Sequence, residues 1–128
     1  MNPAADWLKQ AERDLAAASD SAANGHHEWA AFQAQQCAEK AVKALVQALH
    51  GTVLGHAITE ILRGLPTSVP VPATLFDNAY ELDKVYVMGC YRNEFASGWP
   101  ADYFTEKTSR ELFAHAKQVL EFCRSQIP

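Results

Sequence analysis

What this sequence withholds narrows its class before any motif is found. It has only three cysteines, Cys37, Cys90 and Cys123, with neither a Cys-x-x-Cys nor a Cys/His metal spacing. An odd count without such spacing excludes a complete disulfide framework and a zinc module, and a reducing compartment is the natural expectation. No run approaches the ~20 apolar residues that a membrane-crossing helix needs. The opening stretch MNPAADWLKQAERD carries charge in its first turns, where a signal peptide would have an apolar core. A soluble, cytoplasmic protein without membrane attachment is therefore expected. A basic surplus is also missing: eleven Lys and Arg face fifteen Asp and Glu, for a formal net charge of −4. This excludes a bulk electrostatic grip on nucleic acid, while leaving room for a local basic patch. Alternating apolar and polar residues, the mark of a half-buried strand, are lacking, as are internal repeats and low-complexity tracts.

What is present is helical periodicity. A chain of 128 residues, 48% of them hydrophobic, suffices for one globular domain with a real core, expected over residues 1–128. The first helix is predicted over about residues 3 to 23. Asn2 is its N-cap, Pro3 occupies the first helical position, and Asn24-Gly25 ends it. Trp7, Leu8, Ala11, Leu15, Ala18 and Ala22 form its apolar stripe. The second helix is predicted from His27 to His50, with Gly51 as its stop. At about 100° per residue, Ala31, Ala34, Ala38, Ala41, Val42, Leu45 and Leu49 share one face. Trp29, Phe32, Gln33, Gln36, Glu39, Lys40, Lys43 and Gln47 share the other. A short third helix is expected near Ala57 to Leu65. PTSVPVP then forces a loop, and a fourth helix follows from about Ala73 to Val87, turning Leu75, Ala79, Leu82, Val85 and Tyr86 inward. GCYRNEFASGWP breaks the helical pattern, and a last helix runs from about Thr105 to Ser125. Its expected core residues are Leu112, Phe113, Ala116, Val119, Leu120 and Cys123. The fold class is all-α: an antiparallel up-and-down bundle of four long helices plus one short helix.

Three landmarks occur in order: AERDLAAA in the first helix, FQAQQCAEKAVKAL then GHAITEIL, and a Tyr-Arg break before a helix ending AKQVLEF. Over nearly the whole chain this resembles the HEPN domain (higher eukaryotes and prokaryotes nucleotide-binding). The family pattern falls on Asp14, Gln36, Glu39, Lys40, Lys43, His56 and Arg92. The resemblance implies a small bundle that forms a homodimer and binds a nucleotide, or works with a minimal nucleotidyltransferase partner. Some members are ribonucleases that carry an arginine and, four to six residues later, a histidine near the start of the last helix. Here Arg92-Asn93 keeps the first half, but Ser97-Gly98-Trp99 stands where the histidine would be. A non-catalytic binding module is the reading that follows. The alternative is a toxin-like, metal-independent endoribonuclease with its site at the dimer interface, using Arg92 or the pair Arg110 and His115. Residues five apart on a helix diverge by about 140°, so Arg110 and His115 do not converge within one chain.

Each candidate has a plain reading beside its functional one. Glu39 and Lys43 are four apart in the favourable order and can simply pair on a solvated face. Alternatively Lys40, Lys43 and Arg92 share a pocket and hold a phosphate or an acidic peptide, arginine gripping in bidentate fashion. Arg92 can equally cap the fourth helix. His56 either caps the third helix, the reading we favour, or lines the same cleft. His26-His27-Glu28 reads as surface residues at a helix start rather than metal ligands, since helical ligands come three or four apart. No di-iron Glu-x-x-His pair is present, and neither a metal nor a cofactor is expected. Trp7, Trp29, Phe32, Trp99, Tyr103 and Phe104 exceed the needs of a thin bundle. Trp29, Phe32 and Trp99 are assigned to an interface, with base stacking and core packing as the other uses of such rings.

Overall fold

A computed structural model describes the backbone of residues 2–53, 55–90 and 100–128, with side chains for all of these except residues 87–90 and 100. The predicted all-α architecture is what it shows. Helices α1 (Pro3–Ala23), α2 (His27–Ala48), α4 (Ala73–Cys90) and α5 (Glu106–Gln126) form an up-and-down bundle, and α3 (Ile58–Arg63) is short. A 3-10 turn at Pro100–Tyr103, unforeseen in the sequence, leads into α5. No strand occurs among the described residues. No helix among them is long and apolar enough to cross a membrane.

Local chemistry sets the helix ends. The Asn2 side chain accepts from the Ala5 N–H at 3.2 Å, and Pro3 opens α1. Thr105 caps α5 in the same way, accepting from the Thr108 N–H at 3.2 Å. α2 ends at Ala48, two residues before the predicted last residue His50, because His50 itself takes left-handed geometry at φ 61°. Gly51 serves a different need from the one expected. A Cβ there would lie 3.0 Å from Val46 Cγ1, so this glycine permits a close approach as the chain folds back. α4 continues to Cys90, past the predicted end at Val87.

α2 lies at the centre and packs against every other helix. Its buried residues include Ala30, Ala31, Ala34, Ala38, Ala41 and Ala44, and Ala11 and Ala18 of α1 are buried too. Side chains this small let the helix axes approach closely. Larger residues then fill the space towards α3, α4 and α5: Leu45, Ile58, Leu62, Leu82, Val119 and Leu120. Truncating Leu45, which is fully buried, would cost about 2–5 kcal/mol. Cys37 and Cys123 are buried free thiols inside this core, as small apolar fillers. Burial pushes both thiols up to about 12, which leaves them unreactive at neutral pH.

Candidate functional site

The polar face of α2 is less exposed than its composition suggests. Glu39 is buried, only 5% exposed, and three side chains converge on its carboxylate. Lys43, one turn later, donates to Oε2 at 2.9 Å. Gln35, one turn earlier and fully buried, donates its amide to Oε1 at 3.3 Å. His56, in the connection before α3, brings Nδ1 within 3.5 Å of Oε2. Gln36 joins the row by donating to Gln35 Oε1 at 2.8 Å. A buried carboxylate is costly without such partners. The i,i+4 spacing of Gln35, Glu39 and Lys43 is what lets one helix supply two of them.

Two neighbouring helices lock this row in place. On α1, Asp14 accepts from Lys40 at 2.5 Å and from the Gln10 amide at 2.9 Å. Further along α1, Trp7 lies beneath the Lys43 ammonium, 5.7 Å from nitrogen to ring centroid. On α4, Tyr86 stacks on the His56 ring with centroids 5.6 Å apart. Asp83, one turn before Tyr86, holds the start of α3. Its carboxylate accepts from the Ile58 N–H at 2.8 Å, the Thr59 N–H at 3.1 Å and the Thr59 hydroxyl at 2.6 Å. These bonds satisfy the donors left open at a helix start. The cap of α3 therefore comes from Asp83 across the fold. His56, expected to cap α3, instead faces Glu39 and Tyr86, because α3 has Ala57 at its N-cap position and no local side-chain cap.

Of the predicted site residues, Gln36, Glu39, Lys43 and His56 belong to one connected network, and Lys40 lies beside it in the clasp with Asp14. Arg92 and Trp99 lie outside the described residues. Arg110 is exposed and paired with Glu106 at 2.7 Å. His115 is half-buried, its Nδ1 2.7 Å from Asn78 Nδ2. The Oδ1 of Asn78 is buried without a hydrogen-bond partner. His27, read from sequence as a surface residue, is half-buried and ties α2 to α5 through a 2.8 Å bond to buried Ser109. Trp29 and Phe32 pack edge to face, with centroids 6.4 Å apart, and remain 56% and 41% exposed. Trp7, placed by periodicity on the apolar stripe of α1, is 37% exposed. Among the described residues, no cluster of three or more His, Cys, Asp or Glu side chains has a metal-holding arrangement.

Gln35 and Asp83 are the members that sequence reasoning passes over. Gln35 shares the apolar face with Ala31, Ala38 and Val42, at steps of three, four and seven. A lone amide in the middle of an alanine seam is the signal that marks it. Asp83 carries no local signal, because the backbone it caps lies 24 and 25 residues away.

The HEPN domain family model matches residues 4–126, and the chain belongs to that family. The protein TT1696 from Thermus thermophilus is similar, with a TM-score of 0.94 and 37% identity over 98% of this chain and 99% of that one. ST0689, an archaeal HEPN homologue, superposes with a TM-score of 0.86 at 38% identity, covering both chains fully. The Methanocaldococcus jannaschii protein named "Putative toxin MJ1304" is 27% identical over 125 residues, 90% of this chain and 82% of that protein.

Proposed function

We propose that this chain is a non-catalytic HEPN module that dimerises and binds a nucleotide phosphate, either free or presented by a cognate minimal nucleotidyltransferase. The observation that carries the reading is the convergence on buried Glu39. A buried ion pair is weak evidence of a stabilising role, since apolar residues of similar volume often serve a core as well or better. Glu39 instead fixes Lys43 and His56 side by side at the solvent edge of the bundle. Their side chains are 16% and 56% exposed, which supports the reading that both meet a phosphate at this edge. Gln36 and Lys40 extend the row, and Arg92 is assigned to the same anion site. Trp29 and Phe32 are assigned to the contact with a second copy, together with Trp99.

Calorimetric titration with AMP, ATP and GTP tests the reading, with Lys43→Ala and Arg92→Ala alongside. Micromolar to millimolar binding that weakens at least tenfold in each variant is expected. Absence of binding, or binding untouched by both substitutions, removes the nucleotide reading.

A second reading, a toxin-like metal-independent endoribonuclease, is supported by the name of the M. jannaschii relative and by the Asn78–His115 bond. In that role Asn78 would orient the imidazole for proton transfer while an arginine stabilised charge on phosphorus. Incubation with structured RNA, comparing wild type with His115→Ala, tests it. RNA left intact by the wild type disposes of it.

A further inference from the structure

Trp7 has no part in the anion-holding role, yet its ring lies beside the residues that would perform it. It is among the large apolar side chains left exposed, at 37%. It is also the aromatic ring that meets the network from the α1 side, with the Lys43 ammonium 5.7 Å from its centroid. Trp29, by contrast, sits fourteen residues before Lys43, about 21 Å along the helix axis. An indole next to an anchored cation complements what a mononucleotide presents: a flat π-face and, a few ångströms away, an anion. Every nucleobase has such a face, so stacking is tolerant of sequence and adds to the phosphate contacts. The one-turn step from Trp7 to Gln10 leaves a side-chain amide, held by Asp14 at 2.9 Å, along the same edge of α1.

We propose that the exposed indole of Trp7 is the stacking platform for the base of a nucleotide whose phosphate is taken by Lys43 and His56. This rests on the nucleotide reading and deepens it, since it predicts that the base, and not the phosphate alone, contributes to binding.

The test titrates the full chain with AMP, ribose 5-phosphate and inorganic phosphate, followed by calorimetry and tryptophan fluorescence. Wild type, Trp7→Phe and Trp7→Leu are compared, with circular dichroism establishing that each is folded. AMP is expected to bind roughly tenfold or more tightly than ribose 5-phosphate and to quench the fluorescence. Trp7→Leu should bring AMP down to the affinity of ribose 5-phosphate and abolish most of the quench, while Trp7→Phe keeps most of the gap. If ribose 5-phosphate binds and AMP gains nothing over it, or if the gap survives in Trp7→Leu, the platform is wrong and the phosphate site stands. If none of the three ligands binds the wild type, the nucleotide reading itself falls and the platform falls with it.

Discussion

The start and the middle of α2 treat burial in opposite ways. Around its middle, Gln35 and Glu39 are taken into the interior and supplied with partners. Near its start, Trp29 and Phe32 are left partly in solvent, packed edge to face on each other. One region puts polar groups where apolar ones would serve, and the other does the reverse. Burying a side chain such as Phe32 would gain about 1.5–3 kcal/mol, and a buried ion pair rarely outperforms its apolar replacement. Both departures therefore cost the isolated chain stability, and such departures gather where a protein meets something else. The alanine seam running through both regions follows the ordinary rules. It supplies the rigid helix on which the exceptions are displayed.

Substitutions break this comparison in one region or the other. The largest effect is expected from Glu39→Ala, which leaves Lys43 without its carboxylate and the buried Gln35 amide without its acceptor. Urea unfolding should show a loss of about 3 kcal/mol. Asp83→Ala comes next. It strips three donors at the start of α3 and releases the segment carrying His56, at about 2 kcal/mol. Hydrogen exchange should report lost protection at Ile58 and Thr59 while α1 keeps its own.

A pH series gives a smaller, global effect. The thiols of Cys37 and Cys123 are raised from an ordinary value of 9.0 to about 12, chiefly by burial. A folded-state value above the unfolded one means that the unfolded chain loses these protons first. Their stabilisation is fully present below pH 9 and fades as pH rises towards 12. The thermal midpoint should fall through that window, and less steeply in the Cys37→Ala/Cys123→Ala double variant. At the start of α2, the Trp29→Ser/Phe32→Ser pair should change monomer stability by no more than about 0.5 kcal/mol. The dimer we propose should weaken at least tenfold, read by sedimentation velocity.

Much of this was legible before any coordinates, for reasons visible in particular residues. Asn2-Pro3 and Asn24-Gly25 bracket α1 because capping is a local affair, and the observed helix runs from Pro3 to Ala23. The period of α2 separates its alanines from its polar row, and that row does carry the network. Periodicity could not tell how deep the row lies, since Glu39 is buried by α1, the connection before α3 and the side chains they bring. The same limit applies to Trp7. Periodicity puts it in the apolar stripe of α1, whereas the ring is 37% exposed with a cation at its face, and both are tertiary facts. Gly51 shows a subtler failure: sequence reasoning points to its backbone freedom, while His50 takes the left-handed turn and Gly51 makes room for Val46. Contacts made across the fold, such as Asp83 with α3, leave no local trace at all.

The central claim is that the Glu39–Lys43 pair is kept for a ligand and not for the fold. Replacing the pair together with the buried amide that it holds, as Gln35→Leu/Glu39→Leu/Lys43→Met, separates the two. Unfolding and AMP titration on this triple variant should show stability equal to or above that of the wild type, with AMP binding lost. A variant that still binds AMP with undiminished affinity, or one that no longer folds, would contradict the claim.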